Sequence, residues 1–259
     1  MAANREKLKY VPGSYATERP KAAQLVDQYF REWERRHLRM KGSVIESPQI
    51  APTICFSRKI GAGALEIADL LGEKINYPVA DREMLNHMAN DKQISAKTIE
   101  FFDERYPGKI SELSRLLFGE KSFIMSDYIK SFISAVYALA DTGPTIFVGR
   151  GTHLILPRNR VLAVRIKCSV EYRVNRVANI LGIDEDEEEK LIVQIDKEQR
   201  DFFRKAFGKK DASPYEFDLV INSDFITSPV AAAEIVAQAF KENFMAELED
   251  IPVARRGVI

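Results

Sequence analysis

The stretch Thr53-Ile54-Cys55-Phe56-Ser57-Arg58-Lys59-Ile60-Gly61-Ala62-Gly63-Ala64-Leu65-Glu66-Ile67 carries the most chemically suggestive spacing in the chain. An apolar run of β type enters a loop with glycines at 61 and 63. The loop opens into the helical pattern Leu65, Ile67, Ala68, Leu70, Leu71. Strand, glycine loop and helix in that order aim backbone N–H groups at an anion, above all a phosphate. Three readings are open. A phosphate cradle uses the glycines for close backbone approach. A dinucleotide fingerprint needs a small third residue where Glu66 stands, although Asp81 lies about where a ribose-binding acid would. A tight strand-to-helix turn uses glycine for its own sake. The lysine and hydroxyl of the regular motif, G-x-x-x-x-G-K-[ST], are replaced by Ala64 and Leu65.

Further basic groups follow strand-like segments. Asp81-Arg82-Glu83 begins a helix that Asp81 is suited to cap. Gly149-Arg150-Gly151 ends a buried run, and its glycines let the backbone turn while the guanidinium reaches inward. Arginine matches phosphate through paired donors. His153, just beyond, reads as a structural histidine. Arg173 and Arg176 share a helix face, and Asp196, Lys197, Arg200 and Arg204 recur on the next helix, with Asp196 and Arg200 spaced to pair. Two arginine-bearing helices joined by a polar loop suit a lid closing on phosphates.

The elements that must position these groups alternate. Strand-like runs fall at 52–57, 76–80, 145–149, 161–167 and 218–222. Helical runs fall at about 63–74, 81–90, 95–104, 110–118, 121–141, 169–181, 186–206 and 229–247. Such alternation predicts right-handed crossovers and a parallel sheet buried on both faces, with strand C-termini at the ligand crevice. The acidic run 184–189 reads as a solvated helix start.

Residues 1–50 differ. Pro12, Gly13 and Pro20 break the start, a charged helix is predicted over 21–40, and 42–52 reads as a linker. Leu25, Val26, Tyr29, Phe30 and Trp33 form one narrow apolar stripe, to be covered by the main domain or, in a homodimer, by a second copy. The cluster Arg35, Arg36, His37, Arg39 and Lys41 suits a solvated helix end. Lys plus Arg and Asp plus Glu both total 38, so no overall field favours a nucleic acid polymer or a membrane. The cysteines, Cys55 and Cys168, sit in apolar runs and read as reduced buried thiols. Without a signal-type apolar region or a membrane-length apolar span, the chain is expected to be soluble and cytoplasmic.

Taken in order, Ser57-Arg58, Gly61-Ala62-Gly63, Asp81-Arg82-Glu83, Gly149-Arg150-Gly151, Arg173-x-x-Arg176, Asp196, Arg200 and Tyr215-Glu216-Phe217-Asp218-Leu219-Val220-Ile221-Asn222 resemble the cytidylate kinase-like proteins. These are bacterial relatives of the cytidylate and other nucleoside monophosphate kinases. The resemblance covers about residues 52–242, and it is the order of the motifs that is specific.

It implies an α/β, P-loop NTPase fold of the nucleoside monophosphate kinase type: three layers about a central parallel sheet, with an N-terminal helical extension. Residues 1–50 would be the extension and linker, 51–247 the kinase-like domain and 248–259 a tail. Within the domain, about 81–141 would be the helical acceptor-binding insert and about 173–205 the lid. Ser57, Arg58, Gly61, Ala62, Gly63, Ala64 and Leu65 would hold the donor ATP. Asp81, Arg82 and Arg150 would face the acceptor, while Arg173, Arg176 and Arg200 would neutralise the transferring group. The implied activity is ATP-dependent phosphorylation of a nucleoside monophosphate, CMP or dCMP first, with Mg2+. The absent hydroxyl leaves the metal without an assigned ligand. An inactive nucleotide-binding module, or a kinase for another small phosphorylated metabolite, is the alternative. Losing the lysine removes roughly 3–4 kcal/mol of transition-state stabilisation, or about 10²–10³ in rate, unless a cation such as Arg58 or Lys59 replaces it.

Overall fold

The computed structural model describes residues 21–40, 50–118, 126–181, 185–209 and 211–249. The breaks expected before residue 21, most of the linker, the first residue of the acidic run and nearly all of the tail lie outside these residues.

The sheet follows from side-chain alternation in apolar segments. β1 (Thr53–Arg58), β2 (Val79–Ala80), β3 (Ile146–Val148), β4 (Val161–Lys167) and β5 (Leu219–Asn222) pair in parallel in the order β2-β3-β1-β4-β5. Successive side chains in a strand point to opposite faces. Cys55, Phe147 and Ala163 therefore enter one apolar layer, and Ile54, Phe56, Val148 and Val164 enter the other.

Helices cover both faces and complete three layers. α2 (Ala64–Ile75) and α9 (Pro229–Glu249) lie together on one face. The other carries α3 (Arg82–Asn90), α4 (Lys92–Arg105), α5 (Lys109–Phe118) and α6 (Asp127–Thr142), all between β2 and β3. Asp81 caps α3 through the Met84 N–H at 2.9 Å. Asp91 accepts from the Gln93 and Ile94 N–H groups, so α4 begins three residues before its apolar periodicity does. α6 begins at Asp127 behind its cap Ser126, and residues 121–125 of the longer helix expected there are outside those described. α7 (Val170–Leu181) and α8 (Glu185–Phe207) run against each other after β4, and Ala206 and Phe207 at the end of α8 reach the core. Among the described residues no helix is long and apolar enough to cross a membrane. Cys55 is buried and Cys168 half-buried, both as free thiols whose pKa burial pushes up, to about 12 and about 11.

The apolar stripe of the first helix is covered within the chain. α1 (Ala22–Met40) lies on α3 and α6. Val26 is fully buried, and Trp33 stacks on Phe30 at 5.1 Å and meets the Phe101 edge at 5.3 Å. Trp33→Ala should cost about 3 kcal/mol of stability by urea denaturation. A loss below about 1 kcal/mol would show that α1 contributes little to the folded domain.

Candidate functional site

The backbone of the glycine loop is set by its need for left-handed conformations. Gly61 and Gly63 have φ of 78° and 77°, which only glycine adopts without strain. Gly63 caps α2 without a side-chain hydrogen bond, so the first-turn N–H groups of α2 have no capping side chain. That end of a helix attracts anions. Ala64 and Leu65, where the regular motif has lysine and a hydroxyl, are buried in the α2–α9 layer.

Beside the loop lies a crevice at the C-terminal edge of the sheet. It is lined by Ser57, Arg58 and Lys59 at the end of β1, Arg82 at the start of α3, Gly149-Arg150-Gly151 after β3, and Arg165 of β4. Asp196, Glu198, Gln199, Arg200, Phe202 and Phe203 of α8 form the facing wall, with Asp211 beyond that helix. Arg150 adopts φ 58° between Gly149 at 87° and Gly151 at 70°. A left-handed non-glycine residue costs of order 1 kcal/mol and persists where its surroundings enforce it. They do so here. A Cβ on Gly151 would stand 2.5 Å from the Phe207 ring, and the Arg150 guanidinium lies 4.1 Å above the Phe202 ring centre.

The electrostatics of this crevice call for an anion. Arg82 Nε and Nη1 and Arg150 Nε are buried without a hydrogen-bond partner among the described residues. The Arg150 pKa is pushed down to about 10, chiefly by burial and next by the neighbouring Arg82. Two like charges with buried unsatisfied donors are unfavourable until an acceptor arrives, and a phosphate supplies charge and acceptors together.

The crevice thus gathers Ser57, Arg58, Lys59, Arg82, Arg150 and Arg200 from the sequence-level candidates. Gly61 to Leu65 lie next to it. Others are engaged elsewhere. Asp81 caps α3. Arg173 is buried, and its Nη1 donates to both oxygens of Asp196 at 3.0 Å and to the Ile60 carbonyl at 3.4 Å. Asp196 therefore reaches across to α7 instead of pairing with Arg200 along its own helix. Arg176 Nη2 donates to Glu66 at 2.6 Å. The Ser57 hydroxyl accepts from Arg165 Nη1 at 2.7 Å.

Sequence reasoning passed over Arg165, Gln199, Phe202 and Phe203. A single arginine inside the apolar run 161–166 was the available signal for the first. Adjacent phenylalanines on a charged helix were the signal for the last two. Among the described residues no group of three or more His, Cys, Asp or Glu could hold a metal ion.

The profile of the cytidylate kinase-like family matches residues 53–225. An uncharacterized protein from Eubacterium ventriosum has the same fold, with TM-score 0.58, 18% identity, and 75% of this chain and 99% of that chain covered. Shikimate kinase from Bacteroides thetaiotaomicron aligns with TM-score 0.37 and 16% identity over 73% of this chain and 96% of that chain. Shikimate kinase from Acinetobacter baumannii, in complex with shikimate, aligns with TM-score 0.39 and 15% identity over 74% and 94%. No curated protein matches the chain.

Inorganic phosphate should raise the melting temperature, and Arg150→Met should remove most of that shift. An equal shift in the variant would locate the anion elsewhere. A second expectation concerns His153, whose pKa burial pushes down to about 4 although it faces Glu216 at 3.4 Å. As pH falls from about 6.5 to about 4 the unfolded chain binds the proton first, so stability should drop across that window. Urea midpoints measured against pH should lose this slope in His153→Gln.

Proposed function

Because the chain belongs to the cytidylate kinase-like family, we propose that it transfers a phosphoryl group from ATP to a nucleoside monophosphate, CMP or dCMP first. The observation that carries this reading is the pair Arg82 and Arg150, whose buried, unpartnered donors face one crevice beside the glycine loop. They would bind the acceptor phosphate. ATP would supply the γ-phosphoryl group, and its phosphates fit the N-terminus of α2, where left-handed glycines open the backbone. Arg58 and Arg200 would hold acceptor and donor charges together so that the attacking oxygen lies in line, and the Phe202–Phe203 wall would limit water. No covalent intermediate is required. Magnesium would arrive on the donor's phosphates, the usual way this ion enters phosphoryl transfer.

A second reading, a nucleotide-binding module without turnover, is favoured by Ala64 and by the ion pairs that already engage Arg173 and Arg176. The deciding experiment is ADP formation from MgATP with CMP, dCMP, UMP, AMP and GMP against a no-acceptor control. Turnover with CMP or dCMP is expected, and Arg150→Ala should raise KM for that acceptor at least tenfold while changing KM for ATP less. Stabilisation by ATP without turnover on any acceptor would favour the second reading.

A further inference from the structure

The arginines of the crevice recognise charge, and charge alone does not select one phosphate compound from another. Selection needs a group that reads an uncharged part of the substrate. Among the described residues the uncharged polar side chains lining the crevice are Ser57 and Gln199. The Ser57 hydroxyl already accepts from Arg165 Nη1 at 2.7 Å. Gln199 differs. Its Nε2 is buried and has no hydrogen-bond partner among the described residues.

The acidic groups along the same wall are engaged with other partners. Asp196 accepts through both oxygens from Arg173, and Glu198 accepts from Gln194 at 3.3 Å. Asp211 lies 3.7 Å from Arg165 and is exposed. The segment of α8 that carries Gln199 is also tied down. Asp196 stands three residues before it and Phe203 four residues after it, so the three share one face of the helix. Arg173 holds Asp196, and the Phe203 ring packs on Phe207 at 5.1 Å. These contacts fix where the Gln199 backbone stands over the crevice.

We propose that Gln199 sets acceptor specificity by donating from Nε2 to an uncharged oxygen of the acceptor's nucleoside part, a sugar hydroxyl or a base carbonyl. The inference rests on the acceptor reading of the crevice given above. It adds the group that tells a nucleotide from a bare phosphate. A buried N–H without an acceptor is unfavourable in the free protein, and a ligand oxygen removes that cost. A ligand lacking the oxygen leaves the cost in place, which is how a hydrogen-bonding site rejects an incomplete substrate. Arg82 and Arg150 compete better for the phosphate itself, because charged donors make the stronger bonds to it.

One substitution separates this role from a structural one. Gln199→Met keeps the length of the side chain and removes the unsatisfied donor, so the free protein should melt no lower than the parent. The test is calorimetric titration of both full chains with CMP, dCMP, UMP, AMP, GMP, ribose 5-phosphate and inorganic phosphate. In the parent at least one nucleotide should bind tighter than inorganic phosphate. Gln199→Met should reduce that preference at least fivefold while changing the Kd of inorganic phosphate less than twofold. Gln199→Ala carries the comparison if the Met variant unfolds. Ribose 5-phosphate sharing the loss assigns the oxygen to the sugar, and ribose 5-phosphate unaffected assigns it to the base. A nucleotide preference that survives the substitution overturns the inference, and so does equal weakening of nucleotide and phosphate. A parent that prefers no nucleotide over phosphate overturns both the inference and the acceptor reading. Loss of the preference in a protein that turns over no acceptor upholds the inference and removes the kinase reading.

Discussion

The burial of β1 on both faces and along both edges is the constraint from which the other features follow. Ile54, Cys55 and Phe56 are at most 1% exposed, with β3 on one side and β4 on the other, all running the same way. A parallel neighbour cannot be reached by a hairpin, so the connections cross over a face, and all but the short β3–β4 connection carry α-helices with them. All strand C-termini then open on one edge. The glycine loop, Arg82, Gly149-Arg150-Gly151 and α7 converge there because the chain leaves the sheet at that edge each time.

That convergence concentrates positive charge that the fold leaves partly unanswered. Elsewhere Arg105 pairs with Asp141, which also accepts from the Tyr106 hydroxyl. At the crevice, the ion pair of Arg82 among the described residues is with Glu83 at 3.8 Å, too far for a hydrogen bond, and Arg150 rests on an aromatic face. Stability alone would favour a carboxylate between them. Leaving the two guanidinium groups pre-positioned costs folding free energy but lowers the reorganisation needed when an anion binds. The strained backbone at Arg150, enforced by Phe207 against Gly151, belongs to the same trade.

How much was legible in the sequence depended on whether a contact was local. Buried strands appear as apolar runs, so four of the five lie within segments expected from the chain alone and β1 runs one residue past its own. The glycine loop and the glycine-flanked Arg150 were legible because their backbone demands are written in their own neighbours. The start of α4 was set by Asp91, a cap lying before the periodic stretch. What the sequence could not display was choice of partner. Asp196 has Arg200 at helical spacing and instead takes Arg173, 23 residues away, because burial between two helices and the loop rewards a charge-assisted pair more than a solvated one. Glu66 likewise argued against a dinucleotide fingerprint without revealing that it meets Arg176.

The Arg173–Asp196 pair also limits what can move. Both side chains are less than a tenth exposed, and breaking a buried pair by separating its charges costs several kcal/mol. It joins α7, α8 and the glycine loop through the Ile60 carbonyl, while Ile60, Val174, Ile192 and Ile195 form a small apolar cluster around the same junction. A lid hinged at the start of α7 would have to open this junction. Motion is cheaper where α8 meets solvent, at Arg200 and Arg204, whose side chains are exposed on the helix that walls the crevice. The arginines expected to act as one mobile set are thereby divided. Arg173 is tied to Asp196 and the Ile60 carbonyl and Arg176 to Glu66, whereas Arg200 is exposed at the crevice wall.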